Sequence, residues 1–286
     1  MSEKKEITSD IPAVSFNNVV FSYDANNPTP TIKGISFDIE QGEYVCIVGS
    51  NGSGKSTISK ILVGLLKPKS GEIKIFGNVL SNLTIKTIRN DVGIVFQNPD
   101  NQFIGLTAED DIAFGLENNK INNTVMFDII TTAASIVNVQ DLLKLNASRL
   151  SGGQKQSVAI ASVLAMNPKI IIFDESTSML DPTAKIELNN LMTMLRDKYG
   201  KTIISITHDM EELLHADRVI VIKEGSVQKI GTPAKIFEDE QFLRNNKLSL
   251  PFTLEVSKHF SDINNKVGLS LTKEKLIKQI GGLWKK

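Results

Sequence analysis

The sequence predicts an α/β protein with a mostly parallel sheet. Short apolar runs suited to buried strands alternate with segments of helical spacing along most of the chain, and a glycine-rich stretch at 49–56 joins one such run to a helix. A third observation concerns residues 107–167, where only helical patterns occur. We therefore expect an α-helical subdomain inserted into the sheet domain.

The amino-terminal segments predict a second, antiparallel sheet. Residues 1–12 are mostly polar and are expected to form a flexible N-terminus, whereas 13–23 and 32–39 alternate between apolar and polar side chains, as half-buried strands do. Residues 43–48 form a short apolar run typical of a buried strand. We expect residues 13–48 to pair as antiparallel strands in a β subdomain beside the core.

The glycine-rich stretch and the helix after it predict a phosphate site. Apolar side chains recur at helical spacing after the stretch, at Ile58, Ile61, Leu62 and Leu65. The stretch itself fits G-x-x-x-x-G-K-S/T, a loop whose backbone N–H groups surround phosphates. Lys55 then reaches the β- and γ-phosphate oxygens, and Ser56 offers its hydroxyl to Mg2+. A connection without a ligand would need neither side chain, so the loop predicts a nucleotide site.

The remaining core elements follow from the same two periodicities. Strand patterns occur at 72–76, 92–96, 170–173, 202–206 and 218–222. Helical patterns occur at 107–116, 125–137, 151–166 and 182–199. Strands that alternate with helices in this way are joined by crossovers, which is why we expect them to be mostly parallel.

Composition and charge limit the function classes. The 286 residues are 41% hydrophobic, which supplies a full core, and 32 basic residues balance 32 acidic ones. The chain therefore has no overall excess of positive charge that would predict nucleic-acid binding. Cys46 lies in a predicted strand and is expected to be a buried thiol, and a single cysteine allows no disulfide within the chain. No run approaches about 18 apolar residues, so we expect a cytosolic protein unless a partner holds it at a membrane.

Two further motifs follow the phosphate loop in order along the chain. Residues 150–154 read Leu-Ser-Gly-Gly-Gln, and the apolar run 170–173 ends in Asp174 and Glu175. A buried strand delivers such carboxylates to the carboxyl edge of an α/β sheet, where ligands bind. We therefore expect Asp174 to bind Mg2+ and Glu175 to act as the general base for an attacking water.

With these three motifs in this order, the chain resembles the ATP-binding cassette (ABC) ATPases. The resemblance implies a P-loop NTPase core that uses ATP and Mg2+. It implies that Asp181 lies in the D-loop, at the interface between two subunits. The nucleotide-binding residues that it implies are Tyr23, which stacks on adenine, and Gly49, Ser50, Asn51, Gly52, Ser53, Gly54, Lys55, Ser56 and Thr57. The catalytic residues that it implies are Glu175, His208 and Gln97, and the metal ligands are Ser56, Gln97 and Asp174.

The resemblance also implies that the signature residues serve the opposite subunit. These residues are Ser151, Gly152, Gly153 and Gln154. At a helix start, their N–H groups direct the positive end of the dipole at a γ-phosphate held by the partner, so a complete site needs two chains that ATP closes together. This chain has Ser157 where the family usually has arginine, and Ser176 and Met179 where proline and alanine are common. At Ser157 we expect a contact made by the usual arginine to be missing or replaced, and we expect the other two departures to leave the catalytic assignment intact.

Two stretches narrow the resemblance to the ATPase subunits of energy-coupling factor (ECF) importers of vitamins and cobalt. They are 95–103 and 248–256, and Leu-Pro-Phe in the second favours the first of two paralogous ATPases. The implied partners are a second paralogous ATPase in a heterodimer, a transmembrane coupling subunit and exchangeable substrate-binding membrane subunits. The chain would lie peripherally at the cytoplasmic face of the cell membrane. Its ABC domain would span 13–245, with the helical subdomain at about 98–168, before a C-terminal helical extension at 246–286.

Two other functions remain open at this point. An ATPase of another ABC system would act as a homodimer, in a different class of importer or as a soluble assembly factor. A regulatory module would bind ATP without turnover, against which Glu175 and His208 argue. Membrane proteins that copurify with the chain would distinguish the importer from the assembly factor.

Overall fold

The computed structural model describes residues 11–24, 29–263, 270 and 272–284, so most of the predicted flexible N-terminus lies outside the described residues. The strands are β1 (Val14–Phe21), β2 (Ile32–Ile39), β3 (Tyr44–Val48), β4 (Ser70–Ile75), β5 (Asn78–Val79), β6 (Val92–Val95), β7 (Ile170–Asp174), β8 (Thr202–Thr207), β9 (Arg218–Lys223) and β10 (Ser226–Gly231). The helices are α1 (Lys55–Leu62), α2 (Ile85–Asp91), α3 (Ala108–Asn118), α4 (Asn123–Ile136), α5 (Gly152–Ala165), α6 (Pro182–Asp197), α7 (Pro233–Phe237), α8 (Glu240–Asn245), α9 (Phe252–Ile263) and α10 (Lys273–Trp284).

The strands form two sheets, as the sequence predicts. An antiparallel sheet has the order β2-β1-β4-β5, and Phe16 and Phe37 stack across its first pair with ring centroids 4.6 Å apart. The main sheet has the order β10-β9-β3-β8-β7-β6 and is parallel except for the edge pair β9–β10. The expected α/β fold with a mostly parallel sheet and an antiparallel β subdomain is therefore confirmed.

Strand β3 corrects one expectation about pairing. It pairs in parallel with β8 and β9 at the centre of the main sheet, so antiparallel pairing does not extend to residue 48. The physical reason is burial on both faces. Tyr44, Cys46 and Val48 point into one hydrophobic core, whereas Val45 and Ile47 point into the other.

These two cores place different elements on the two faces of the main sheet. The face with Val45 packs against α1 and the antiparallel sheet, and the face with Cys46 packs against α3, α4, α5 and α6. The helices α3, α4 and α5 contact one another and form the inserted subdomain. Leu254 of α9 packs into the core on the face with Cys46, and this contact anchors the C-terminal helices there.

Helix α1 ends earlier than its apolar pattern predicts. Gly64 has a φ of 67°, the N–H of Gly64 donates to the Ile61 carbonyl at 2.9 Å, and the N–H of Leu65 donates to the Lys60 carbonyl at 2.8 Å. This pair of bonds is a Schellman motif, which stops a helix at a glycine in the left-handed region. Leu65 therefore lies outside the helix and is 57% exposed, so its place in the pattern was wrong.

Candidate functional site

The loop 49–54 between β3 and α1 requires its glycines. A Cβ on Gly49 would lie 2.0 Å from the carbonyl oxygen of Ile222, and a Cβ on Gly54 would lie 2.6 Å from Cδ1 of Ile32. Gly52 and Gly54 also adopt positive φ values of 78° and 105°. The loop therefore wraps closely against β9 and β2 in a conformation that residues with side chains rarely adopt.

The start of α1 leaves hydrogen-bond donors for a ligand. Helices α3 to α6 all begin with side-chain caps, which are Thr107, Asn122, Ser151 and Asp181, whereas Gly54 gives α1 none. The hydroxyl of Ser53 is buried and has no hydrogen-bond partner among the described residues. Free N–H groups and an unpaired buried hydroxyl at one helix start fit a bound phosphate.

Lys55 brings a buried positive charge to the same loop. Its side chain is 4% exposed, and Nζ donates to the carbonyl of Gly49 at 2.9 Å. Nζ also lies 3.6 Å from Oε1 of Glu175. Burying an ammonium group costs free energy unless the group is paired with an anion, so this position favours a polyanionic ligand such as a nucleoside triphosphate.

Asp174 ends β7 beside the first turn of α1. Its Oδ1 accepts a hydrogen bond from Ser56 Oγ at 3.2 Å, and its Oδ2 accepts one from Ser59 Oγ at 2.6 Å. Burial raises the pKa of Asp174, and the two hydroxyls partly offset that effect. A carboxylate and a hydroxyl this close suit a hard cation such as Mg2+, whose other ligands are phosphate oxygens and water.

Gln97, expected beside the metal, is linked to a different loop. Its Nε2 donates to Ser178 Oγ at 3.1 Å, and no hydrogen bond joins Gln97 to Ser56 or Asp174 within the described part of the chain. Ser178 Oγ in turn donates to the backbone carbonyl of Glu175 at 2.7 Å. The structure therefore connects Gln97 to the loop that carries the candidate base.

Glu175 and His208 lie together at the carboxyl edge of the main sheet. Oε2 of Glu175 is 4.0 Å from Nδ1 of His208. Glu175 has a φ of 50°, rare for a residue with a side chain, and its N–H donates to the carbonyl of Ile206 at 2.8 Å. A carboxylate near the loop lysine and an exposed histidine can accept a proton from water.

Tyr23 extends from the antiparallel sheet toward the loop. Its hydroxyl is 3.1 Å from Oγ1 of Thr57, and its ring packs edge-on against Phe21 at 5.0 Å. The side chain is nevertheless 61% exposed. An exposed aromatic ring held near the phosphate loop suits stacking on a nucleotide base.

The signature residues begin α5 with their own capping box. Ser151 Oγ accepts from the Gln154 N–H at 3.3 Å, and Gln154 Oε1 accepts from the Ser151 N–H at 2.9 Å. A Cβ on Gly152 or Gly153 would meet no atom within 4 Å, so the sequence Gly-Gly is not required by packing within this chain. Gly152 is exposed and Gly153 is half-buried, so the start of α5 leaves room for a group from outside the chain.

Asp181 has a local role that sequence motifs did not indicate. Its Oδ1 accepts from the N–H groups of Thr183 at 2.9 Å and Ala184 at 3.1 Å, and so it caps α6.

Ser157, where the resemblance leads us to expect arginine, lines a cleft of about 710 Å3 that also borders Leu180 and Glu187. The space near this serine is therefore open.

Sequence reasoning missed several buried hydroxyls around the site. Ser59 contacts Asp174, and Thr177 and Ser205 contact Glu212, a carboxylate that no motif singled out. Ser59 was within reach, because it lies one helical turn after Ser56 on α1. The contact of Glu212 with Thr177 joins residues 35 positions apart, and the contact with Ser205 joins β8 to the turn after it, so no periodic pattern indicated either one.

Comparison with known proteins agrees with this geometry. Residues 32–178 match the ABC transporter family, so the fold and the site define an ABC ATPase, which binds ATP and hydrolyses it to drive transport. The ATP-binding protein EcfA of the energy-coupling factor transporter of Malacoplasma penetrans (strain HF-2) is 58% identical over 268 residues, which cover 94% of this chain and 93% of that protein. EcfA1 of Ureaplasma parvum serovar 3 is 57% identical over 276 residues, with 96% and 93% covered. The chain therefore belongs to the family of energy-coupling factor transporter ATP-binding proteins.

Solved structures support the same placement. CbiO1 of Clostridium perfringens, part of the ABC transporter complex CbiONQ, superimposes with a TM-score of 0.76 at 34% identity and covers 88% of this chain and 99% of its own. The ABC cassette MJ0796, solved as a dimer bound to ADP and phosphate, has a TM-score of 0.70 at 30% identity and covers 77% and 98%. Across the described ranges, no helix has the length and hydropathy to cross a bilayer.

Proposed function

We propose that the chain is the ATP-hydrolysing subunit of an ECF importer of vitamins or metal ions, and that its site works with Mg2+. The observation that carries the hydrolytic role is the meeting of Glu175 and His208 beside Lys55, with distances of 4.0 Å and 3.6 Å from the Glu175 carboxylate. Within the described residues, this is the place where a phosphate loop, a candidate base and a metal-binding carboxylate come together.

In the proposed mechanism, each side chain acts at one part of ATP. Lys55 and the N–H groups at the start of α1 hold the β- and γ-phosphates. Glu175 accepts the proton of the attacking water, and His208 donates to the γ-phosphate. Mg2+, bound by Ser56 and Asp174 with Gln97 nearby, would neutralise charge that develops on the phosphate oxygens. Tyr23 orients the nucleotide by stacking on adenine.

The active unit is proposed to contain two ATPases. The signature residues cap their own helix and leave space beside Gly152 and Gly153, which suits a γ-phosphate held by another subunit. Met179, within the D-loop at 178–181, is 62% exposed, and Ile186 on α6 is also exposed. Apolar side chains that remain uncovered on this face support a second ATPase chain as a partner, and we propose that it is a paralogue.

A second apolar face supports a membrane partner. A cleft of about 200 Å3 between the main sheet and α3 is bordered by Gln102, Ile104, Phe114 and Met166. Nearby Leu106 is 76% exposed. We propose that cytosolic helices of a transmembrane coupling subunit bind here, which would place the chain at the cytoplasmic face of the membrane. Exchangeable membrane subunits would then select the transported substrate.

The test is purification of the tagged chain from its own membranes, followed by ATP hydrolysis assays of the purified complex. We expect a second ATPase and membrane proteins to copurify. We also expect Glu175→Gln to slow turnover by about two to four powers of ten and to leave ATP affinity unchanged, because a positioned general base contributes that range.

A surface variant provides the control. Glu117→Gln removes a carboxylate at the exposed end of α3 and should hydrolyse ATP like the wild type. Full activity of the pure chain as a homodimer, with no membrane protein recovered, would contradict the importer. Near-normal turnover by the Glu175→Gln complex would assign the base elsewhere.

A further inference from the structure

Glu212 is a buried carboxylate that the proposed mechanism does not use. It lies in the turn after β8, four residues beyond His208, and is 1% exposed. Its Oε2 accepts from Thr177 Oγ1 at 3.1 Å, and its Oε1 accepts from Ser205 Oγ. The hydroxyl of Thr207 is a third hydrogen-bond partner. All three hydroxyl-bearing residues are buried as well.

These partners come from the two segments that carry the candidate catalytic pair. Thr177 lies two residues after Glu175, in a turn where the Ser178 N–H donates to the Glu175 carbonyl at 3.1 Å. Ser205 and Thr207 lie on one face of β8, and His208 follows directly. Glu212 therefore bridges the loop after the base and the strand before the histidine.

We propose that Glu212 is a positioning residue for ATP hydrolysis, which fixes Glu175 relative to His208 by holding the hydroxyls of Thr177, Ser205 and Thr207. The proposal rests on the hydrolytic roles proposed above. A purely structural role explains the cluster less well. Burying a carboxylate in this core costs desolvation energy, which the hydrogen bonds of Glu212 must offset. An apolar side chain would fill the same space without that cost.

The surroundings of Glu212 leave it able to change its protonation state. Burial is the main cause that raises its pKa, to about 7, with a smaller contribution from the charge of Asp209, while the three hydroxyls lower it. Tyr44 and Cys46 face it from β3, and their own pKa values are raised by burial, so both are neutral. The ionised carboxylate can accept from all three hydroxyls at once, and the protonated form must use one oxygen as a donor.

The test compares steady-state ATP hydrolysis by purified complexes that carry Glu212→Ala, Glu212→Gln or Thr177→Val. We expect Glu212→Ala and Thr177→Val to lower kcat at least about tenfold and to leave KM and ATP affinity within about twofold, because misplaced catalytic groups slow chemistry more than binding. Glu212→Gln should exceed Glu212→Ala but stay near the lower kcat that the wild type has below about pH 7, because its amide, like the protonated carboxylic acid, has one acceptor oxygen and a donor in place of the other. The wild-type kcat should rise with pH through about 7, and this rise should be absent in Glu212→Gln.

Thr193→Val is the matched control, because it removes a half-buried threonine hydroxyl whose one hydrogen bond among the described residues is within α6, to the Asn189 carbonyl at 2.9 Å. If Thr177→Val has the kcat of Thr193→Val, the positioning role is overturned, and this holds even if Glu212→Ala fails to fold. A wild-type complex without ATPase activity would overturn the proposed function instead. An active wild type with an unaffected Thr177→Val would overturn this proposal alone.

Discussion

At the scale of single residues, the site depends on charges held away from water. Lys55 and Glu175 lie 3.6 Å apart in a mostly buried loop region, and Asp174 keeps two hydroxyl donors at the end of β7. Each group would be unfavourable alone, and each gains a partner from another element. ATP and its cation would replace several of these contacts, so the arrangement is prepared for a highly charged ligand.

Glu212 gives a prediction about stability and pH. Its pKa rises from 4.5 to about 7 in the folded chain, so between these values the folded protein keeps a proton that the unfolded chain releases. The contribution of this group to the free energy of unfolding should therefore be greatest below pH 4.5, and about 3 kcal/mol of it should be lost as pH rises to about 7. Urea denaturation of the wild type and Glu212→Gln at about pH 5 and about pH 8 measures this loss.

The comparison of the two proteins isolates the one carboxylate. Asp174 also has a raised pKa, but it is present in both proteins and cancels in their difference. We expect the stability of the wild type relative to Glu212→Gln to be higher at the lower pH. A difference that stays constant with pH would mean that Glu212 is ionised throughout the folded state.

At the scale of elements, long periodic segments were predictable and short ones were not. The patterns at 151–166 and 182–199 correspond closely to α5 and α6, because many buried contacts on one helix face leave a clear period. Helix α2 has Ile88 as its one buried residue, and β5 has two residues, both exposed. Such elements leave no detectable pattern, because neighbouring elements, and not their own periodicity, define them.

The site shows the same division. The meeting of the glycine-rich loop, Asp174 and Glu175 at one edge of the sheet was predictable, because each motif consists of particular residues next to one another in the chain, and the roles assigned to them stay predictions. Gln97 was assigned to the metal by resemblance, yet its contact is with Ser178, and Glu212 had no signal. Contacts that join distant segments depend on how the strands lie side by side, which the sequence states only indirectly.

The end of α1 provides a prediction about an element boundary. Gly64→Ala should lower the free energy of unfolding by about 2 to 3 kcal/mol, of which about 1 to 2 kcal/mol comes from the left-handed backbone. The remainder arises because the new Cβ would lie 2.2 Å from Cδ1 of Ile85, which must move. Denaturant unfolding of the wild type and the variant measures the total loss in the free energy of unfolding.

Gly200→Ala is the matched control for this change. Gly200 has a φ of 63°, close to the 67° of Gly64, but a Cβ there would meet no atom within 4 Å. It should therefore lose the backbone contribution alone. Equal losses for the two variants would mean that Ile85 adapts without cost and that the crowding argument is wrong.

At the scale of the whole molecule, the chain has three distinct surfaces that the proposed function assigns to contacts with ATP or with other subunits. The phosphate loop and Glu175 lie at the carboxyl edge of the main sheet, and the signature residues begin α5 in the inserted subdomain. No hydrogen bond joins these two groups across the described residues. The third surface is the apolar cleft beside α3. For ATP to drive transport, a change in the contacts at the first two surfaces would have to alter the conformation of the third surface.

The separation of the loop from the signature predicts that one substitution affects a nucleotide that its own subunit does not bind. Ser151→Arg places a bulky cation at the start of α5, where we propose that the partner's γ-phosphate binds. It should leave the ATP affinity of this chain's loop within about twofold and stop hydrolysis at the partner's site.

Two complexes allow turnover at the two nucleotide sites to be measured separately. One has the partner's base removed, so that turnover comes from this chain's site, and the other carries Glu175→Gln, so that turnover comes from the partner's site. Ser151→Arg should abolish turnover in the second complex and spare it in the first. The control Ser148→Arg adds the same side chain three residues earlier, at an exposed position outside the signature, and should alter neither. Equal loss in both complexes would contradict the assignment of the signature to the opposite nucleotide.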